Sequence, residues 1–174
     1  MHRCVLDWAA WYRSVGVSVV PVRRGGSKAP AMARDQIQQY RDRLPTEKEL
    51  SDWFDVAEPP GLAAVCGAAS GNLAVLDFEC RDSDGVYYDW LRSLPPEVAE
   101  WCDRMPLVET PSGGRHLWVR LPDCTPSGKL AKYADGKTKI EIKGAGGYVL
   151  APGSPPECHQ TGREYEFLRK GWLS

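Results

Sequence analysis

The chain has 174 residues, 43% apolar and 26% charged, with a formal net charge of −1, a profile that fits one soluble domain with a core of its own. No run approaches the ~18 apolar residues needed to cross a bilayer. Asp7 and Arg13 break the one apolar stretch that could serve as a secretory leader, so a cytoplasmic protein with no membrane partner is expected.

Val5 to Val15 has the spacing of an amphipathic helix, with Leu6, Ala9, Ala10 and Arg13 at helical intervals. Gly16 ends it, and Val17 to Val22 is branched and alternating like a strand. Arg23 to Ala33 is a loop of Gly, Pro and basic residues. Thr46-Glu47-Lys48-Glu49 matches a capping box, a device that contributes ~1 kcal/mol and opens a helix to about Phe54. Leu62 to Val65 and Leu73 to Glu79 are predicted strands joined through Gly67, Ser70 and Gly71. Helices are predicted over Ser83 to Leu94 and Pro96 to Cys102. Strands follow at Leu107 to Glu109, His116 to Leu121, Thr138 to Lys143 and Tyr148 to Ala151, with a last short one at Tyr165 to Leu168. The order predicts a single mixed α+β domain over residues 1–174, with antiparallel pairs instead of a regular strand–helix alternation.

The six cysteines, Cys4, Cys66, Cys80, Cys102, Cys124 and Cys158, contain no Cys-x-x-Cys pair. Cys158-His159 with Cys124 would make only a partial zinc site, so buried reduced thiols are the expectation. Charge is unevenly spread. Acidic residues dominate between Asp77 and Glu109. Basic ones dominate two stretches, Arg23, Arg24, Lys28, Arg34, Arg41, Arg43 and Arg115, Arg120, Lys129, Lys132, Lys137, Lys139, Lys143. If those stretches converge, a near-neutral chain can still hold a polyanion.

Three segments carry residues suited to chemistry. In Leu73-Ala74-Val75-Leu76-Asp77-Phe78-Glu79 an apolar strand ends in two carboxylates. Residues two apart in a strand share a face, about 6.5–7 Å apart, so Asp77 and Glu79 repel unless a cation lies between them. Hard divalent ions with oxygen ligands, Mg²⁺ or Mn²⁺, meet that need. In Thr110-Pro111-Ser112-Gly113-Gly114-Arg115-His116, glycines whose amides can approach an anion lead into a histidine. In Ile140-Glu141-Ile142-Lys143-Gly144, a third carboxylate sits in a strand with Lys143 on its face. Lys143 is either its salt-bridge partner or a contact for substrate phosphate. The aromatic Trp118, Tyr133 and Tyr148 are candidates either for base stacking or for the core.

With these residues in hand, the chain resembles the primase–polymerase (Prim-Pol) domain of the archaeo-eukaryotic primase superfamily, found in plasmid, phage and mobile-element replication proteins. The Asp-x-Asp/Glu motif corresponds to Asp77-Phe78-Glu79, the small-x-His motif to Gly114-Arg115-His116, and the late acid to Glu141. Lys28-Ala29-Pro30 resembles a Lys-x-Pro element of the family. Glu141 and Lys143 stand where Asp and Arg are common. The resemblance implies an N-terminal α/β unit packed on a sheet like that of RNA-recognition folds, with the active site between them. It implies template-directed nucleotide addition by two Mg²⁺ or Mn²⁺ ions held by Asp77, Glu79 and Glu141, with His116 catalytic. Ser112, Gly113, Gly114, Arg115, His116, Lys143 and Lys28 would bind the nucleotide. The implied partners are single-stranded DNA template and primer, NTP or dNTP, and a helicase domain or protein. A non-catalytic nucleic-acid-binding replication-initiator module is the alternative. A rolling-circle nicking enzyme is disfavoured, because its paired histidines are missing: His2, His116 and His159 are isolated.

Overall fold

The computed structural model describes residues 4–80 and 85–173. Helix α1 (Val5–Ser14) begins on a capping box, with Asp7 N–H donating to Cys4 Sγ and Cys4 N–H donating to the Asp7 carboxylate. Its buried residues are Ala9 and Tyr12, while Ala10 is exposed. The face is thus turned from the predicted one, because Tyr12 stacks on Trp118 with ring centroids 6.0 Å apart and Trp8 and Trp11 pack on Phe167. Strand β1 (Val19–Val22) follows, buried throughout. Helix α2 (Arg34–Gln38) and a 3₁₀ turn at Gln39–Arg41 come next, neither foreseen, each with one buried residue, Ile37 or Tyr40. The predicted box at Thr46 opens α3 (Glu47–Phe54): Glu49 N–H donates to Thr46 Oγ1 and Thr46 N–H to the Glu49 carboxylate.

The later strands are β2 (Gly61–Val65), β3 (Leu73–Phe78), β4 (Leu107–Glu109), β5 (Arg115–Arg120), β6 (Gly128–Lys132), β7 (Thr138–Lys143), β8 (Tyr148–Leu150) and β9 (Glu166–Arg169), with α4 (Gly85–Arg92) and α5 (Pro96–Cys102) between β3 and β4. Ser83 and Asp84 of the helix predicted over Ser83 to Leu94, the acidic Asp82, and His2 lie outside the described residues. Edge strand β6 was not predicted, since most of its residues are exposed and no face is apolar; Leu130 is 59% exposed.

The fold is mixed α+β with two antiparallel sheets, ordered β1-β2-β8 and β6-β7-β3-β5-β4-β9. β8 comes late in the chain yet completes the first sheet by pairing with β2, so the two units interleave. Leu73, Val75, Val108 and Trp118 on one face of the larger sheet join the smaller sheet and α1–α3 in one core. Ala74, Phe78, Leu117, Val119 and Ile140 on the other face pack with Tyr87 of α4 and Cys102 of α5 in a second. Cys66, Cys80, Cys102 and Cys158 are buried, Cys4 and Cys124 are exposed, and none forms a disulfide among the described residues. No helix among the described residues is long and apolar enough to cross a membrane.

Candidate active site

Strand pairing assembles the site. Asp77 lies opposite His116 across β3–β5 and opposite Glu141 across β3–β7. Directly opposed residues share a face with Cβ atoms about 4.5–5.5 Å apart, so His116, Asp77 and Glu141 form one row across β5, β3 and β7, three of the four interior strands of the larger sheet. The row continues to Lys129 on β6. Glu79 lies just past the end of β3, exposed, and its N–H donates to Lys139 O at 3.0 Å. The face is the one turned toward the smaller sheet, because Val75 and Trp118 beside the row belong to the shared core.

A cavity of about 410 Å³ lies over this row, lined by Lys28, Asp77, Glu79, His116, Ser127, Glu141, Lys143, Tyr165 and residues of β8. A narrow side lobe of about 20 Å³ shares Lys28, Asp77, Glu79, His116 and Tyr165 with it and adds Ser112 and His159. The cavity therefore lies between the two sheets.

The electrostatics favour an ionised Asp77. Burial alone would raise the Asp77 carboxyl, but His116, then Lys143 and Lys28, more than offset it and hold the group below its ordinary range. His116 Nε2 lies 3.5 Å from Asp77 Oδ1, with the two side chains 7% and 15% exposed. The buried His116 Nδ1 has no hydrogen-bond partner among the described residues, an arrangement that ordinarily costs about 1–3 kcal/mol. Lys143 Nζ sits 2.5 Å from Glu141 Oε1, which fulfils the salt-bridge expectation while keeping the ammonium in the cavity wall.

Three carboxylates on one floor are the hard oxygen donors that Mg²⁺ and Mn²⁺ prefer. Among the described residues no three His, Cys, Asp or Glu side chains are gathered in ligating positions, and the reason is visible: Glu141 is drawn to Lys143 and Asp77 to His116. The donor set suits divalent ions in kind, while in this arrangement Glu141 is engaged by Lys143 and Asp77 by His116.

Other predicted residues are placed differently. Gly113 has a φ of +86° and takes the left-handed turn that glycine permits. At Gly114 a Cβ would lie 2.6 Å from Phe78 O, so glycine is required for the turn to reach the end of β3. Both amides are already engaged, Gly113 N–H to Thr110 O and Gly114 N–H to Thr110 Oγ1. They do not face an anion as expected; the turn gives the lobe its Ser112 side chain instead. Arg115 points away from His116, as alternation in a strand requires, and its guanidinium donates to the Gly113 and Gly114 carbonyls and to Glu109. It braces the turn and lines neither lobe.

Lys28 holds a left-handed backbone (φ +56°), uncommon for a residue with a side chain, and its carbonyl accepts from Tyr148 Oη at 3.0 Å. Of the two basic stretches, Lys28 and Lys143 line the cavity; Arg24, Arg43 and Arg115 pair with Glu157, Glu49 and Glu109, and Arg120 donates to Val15 O and Gly16 O. Trp118 is fully buried against Tyr12, which removes it as a stacking platform. Tyr133 Oη donates to Glu79 O. Sequence reasoning gave Tyr165 no place in the site and weighed His159 only for a partial zinc site. Tyr165 is 4% exposed, and burial together with Asp77, Cys158 and Glu79 pushes its phenol upward. Nothing local marks either residue, since only the pairing of β9 with β4 brings that segment beside the row.

The sequence model of the family described as bifunctional DNA primase/polymerase, N-terminal (Prim-Pol), matches residues 9–173. The chain belongs to the Prim-Pol family. The match runs from α1 to the last 3₁₀ turn at Gly171–Leu173 and so takes in both sheets and the whole cavity lining. Prim-Pol is a nucleotidyltransferase family, and the mixed α+β fold with two antiparallel sheets agrees with it. No curated protein matches the chain.

Proposed function

We propose that this Prim-Pol domain is a template-directed nucleotidyltransferase, a DNA primase and/or polymerase acting in the replication of a plasmid, phage or mobile element. The observation that carries the reading is the row His116–Asp77–Glu141 across three interior strands, with Glu79 just past the end of β3, flooring a cavity within the ~300–1,000 Å³ of ordinary ligand sites. Asp77, Glu79 and Glu141 hold two divalent ions, Mg²⁺ or Mn²⁺. When bound, these supply Lewis-acid activation of the attacking 3′-hydroxyl and neutralise charge on the triphosphate and the departing pyrophosphate. His116, Lys28 and Lys143 bind and orient the triphosphate, so the protein's contribution is positioning and charge stabilisation. The partners are single-stranded DNA template and primer, the incoming nucleotide, and a helicase domain or protein.

The depressed Asp77 carboxyl supports the ligand role, because it is ionised at neutral pH without a proton to displace. Asp77→Ala and Glu79→Ala are each expected to lower primer extension by at least roughly 10³-fold, with circular dichroism unchanged. His116→Ala is expected chiefly to weaken nucleotide binding. The check is extension on a primed single-stranded template with Mg²⁺ or Mn²⁺, with ribo- and deoxynucleotides. Undiminished extension by Asp77→Ala, or none by the wild type, overturns the reading in favour of a nucleic-acid-binding initiator module.

A further inference from the structure

We propose that His159, together with Ser112 and Lys28, forms a phosphate subsite in the side lobe, and that His159 selects nucleoside triphosphates over monophosphates. The proposal deepens the nucleotidyltransferase reading and rests on it.

The placement comes from two loops tied together. His159 follows the 3₁₀ turn Pro156–Cys158 and is half-buried. Its Nδ1 accepts the Thr161 N–H at 3.2 Å, so the neutral ring carries its hydrogen on Nε2. That nitrogen lies 3.3 Å from Ser112 Oγ, on the glycine turn that leads into β5. The Thr161 hydroxyl lies 2.9 Å from the same Nδ1, to which it donates, and 3.4 Å from Pro111 O of the glycine-turn loop. With Nε2–H given to Ser112 Oγ, the serine keeps its own hydroxyl hydrogen for another acceptor.

The lobe is chemically polarised. Its loop side presents donors: the His159 Nε2–H, the Ser112 hydroxyl and the Lys28 ammonium. Its sheet side presents Asp77 and Glu79, the carboxylates assigned to the ions. The ligand that satisfies three converging donors is an anion with several oxygen acceptors, and a phosphate is the one the nucleotidyltransferase reading brings. The lobe is narrow because Ser112 and His159 are closed on each other; a phosphate oxygen accepts the hydrogens now shared between them. Burial, then the cations Lys28 and Arg163, hold His159 below its ordinary range. The lobe shares five lining residues with the larger cavity, Asp77 and Glu79 among them. The proposal places a terminal phosphate on the Ser112–His159 side of the lobe, and the single phosphate of a monophosphate on the carboxylate side.

The test is calorimetric titration of dATP and dAMP into the whole chain with Mn²⁺ present, for the wild type, His159→Ala and His159→Gln. His159→Ala is expected to weaken dATP roughly tenfold or more, the loss of one hydrogen bond to a charged group, and to leave dAMP unchanged. His159→Gln keeps a donor and is expected to recover most of the loss. Ser112→Ala, on the other loop, carries the same test if His159→Ala does not fold. Unchanged dATP affinity, or equal weakening of dATP and dAMP, overturns the subsite. If that occurs while Asp77→Ala still abolishes extension, the catalytic reading stands without it. If the wild type binds no dATP, both fall.

Discussion

Along β3 the two faces begin alike and end differently. On one side Ala74, Leu76 and Phe78 carry an apolar surface to the end of the strand, where Phe78 packs against Tyr87 and Trp90 of α4. On the other side Leu73 and Val75 start in the shared core, and then Asp77 and Glu79 break the pattern. A carboxylate as buried as Asp77 costs stability unless it is paired, and the apolar face next to it shows what the same strand does when only packing is asked of it. The difference separates residues that hold the fold from residues that the fold holds.

Three substitutions sharpen that contrast. Phe78→Ala is expected to cost about 3–5 kcal/mol by opening a cavity, a fall in Tm of roughly 6–20 °C for a domain of this size, read by thermal unfolding. Its neighbour Asp77, replaced by Ala, is expected to leave Tm within a few degrees while extension is lost; a similar fall in Tm for both would erase the distinction. Gly114→Ala tests the joint between the faces, because the new Cβ would meet Phe78 O at 2.6 Å and Thr110 Oγ1 at 2.9 Å. A loss of about 1–3 kcal/mol is expected, with nucleotide affinity reduced as Ser112 and His116 shift.

The smallest effect comes from a charged cluster away from the cavity. Glu49 is held well below the usual carboxylate range, chiefly by Arg43, whose guanidinium donates to it at 2.7 and 2.8 Å; the Thr46 amide and Tyr40 hydroxyl add to this. A carboxyl lowered in the folded state stabilises above its unfolded value of ~4.3, and that contribution is lost as pH falls through the folded value. Glu49→Gln is therefore expected to cost no more than about 1 kcal/mol at pH 7 and to flatten the acid limb of stability between pH 5 and pH 2, measured by urea unfolding. Retention of the full acid dependence in the variant would mean that other carboxylates, Asp77 among them, carry it.

Much of this was legible in the residues themselves. The Thr46 box is a local exchange of hydrogen bonds, so four letters were enough to locate it. Alternation placed Asp77 and Glu79 on one face and Phe78 on the other without any tertiary knowledge. Partner strands were a different matter. That Asp77 meets His116 and Glu141 depends on register between segments 39 and 64 residues away, which no window of sequence contains. The amides of Gly113 and Gly114 were misjudged because their acceptors belong to Thr110, whose rotamer is set only by the closed turn. Trp118 gave no sign of its burial, since an indole on a strand looks the same whether α1 covers it or a base does. Strand β6 was invisible for the opposite reason: it is held mainly by backbone pairing to β7, and its side chains carry little record of that.

The row His116–Asp77–Glu141 hangs from interior strands, each with a hydrogen-bonded neighbour on both sides, whereas Lys28, Ser112 and His159 ride on turns. On warming, local opening begins in segments with few backbone partners. The phosphate-side donors therefore loosen first and the acidic floor persists until global melting, so nucleotide affinity declines at temperatures where the carboxylate platform is still intact.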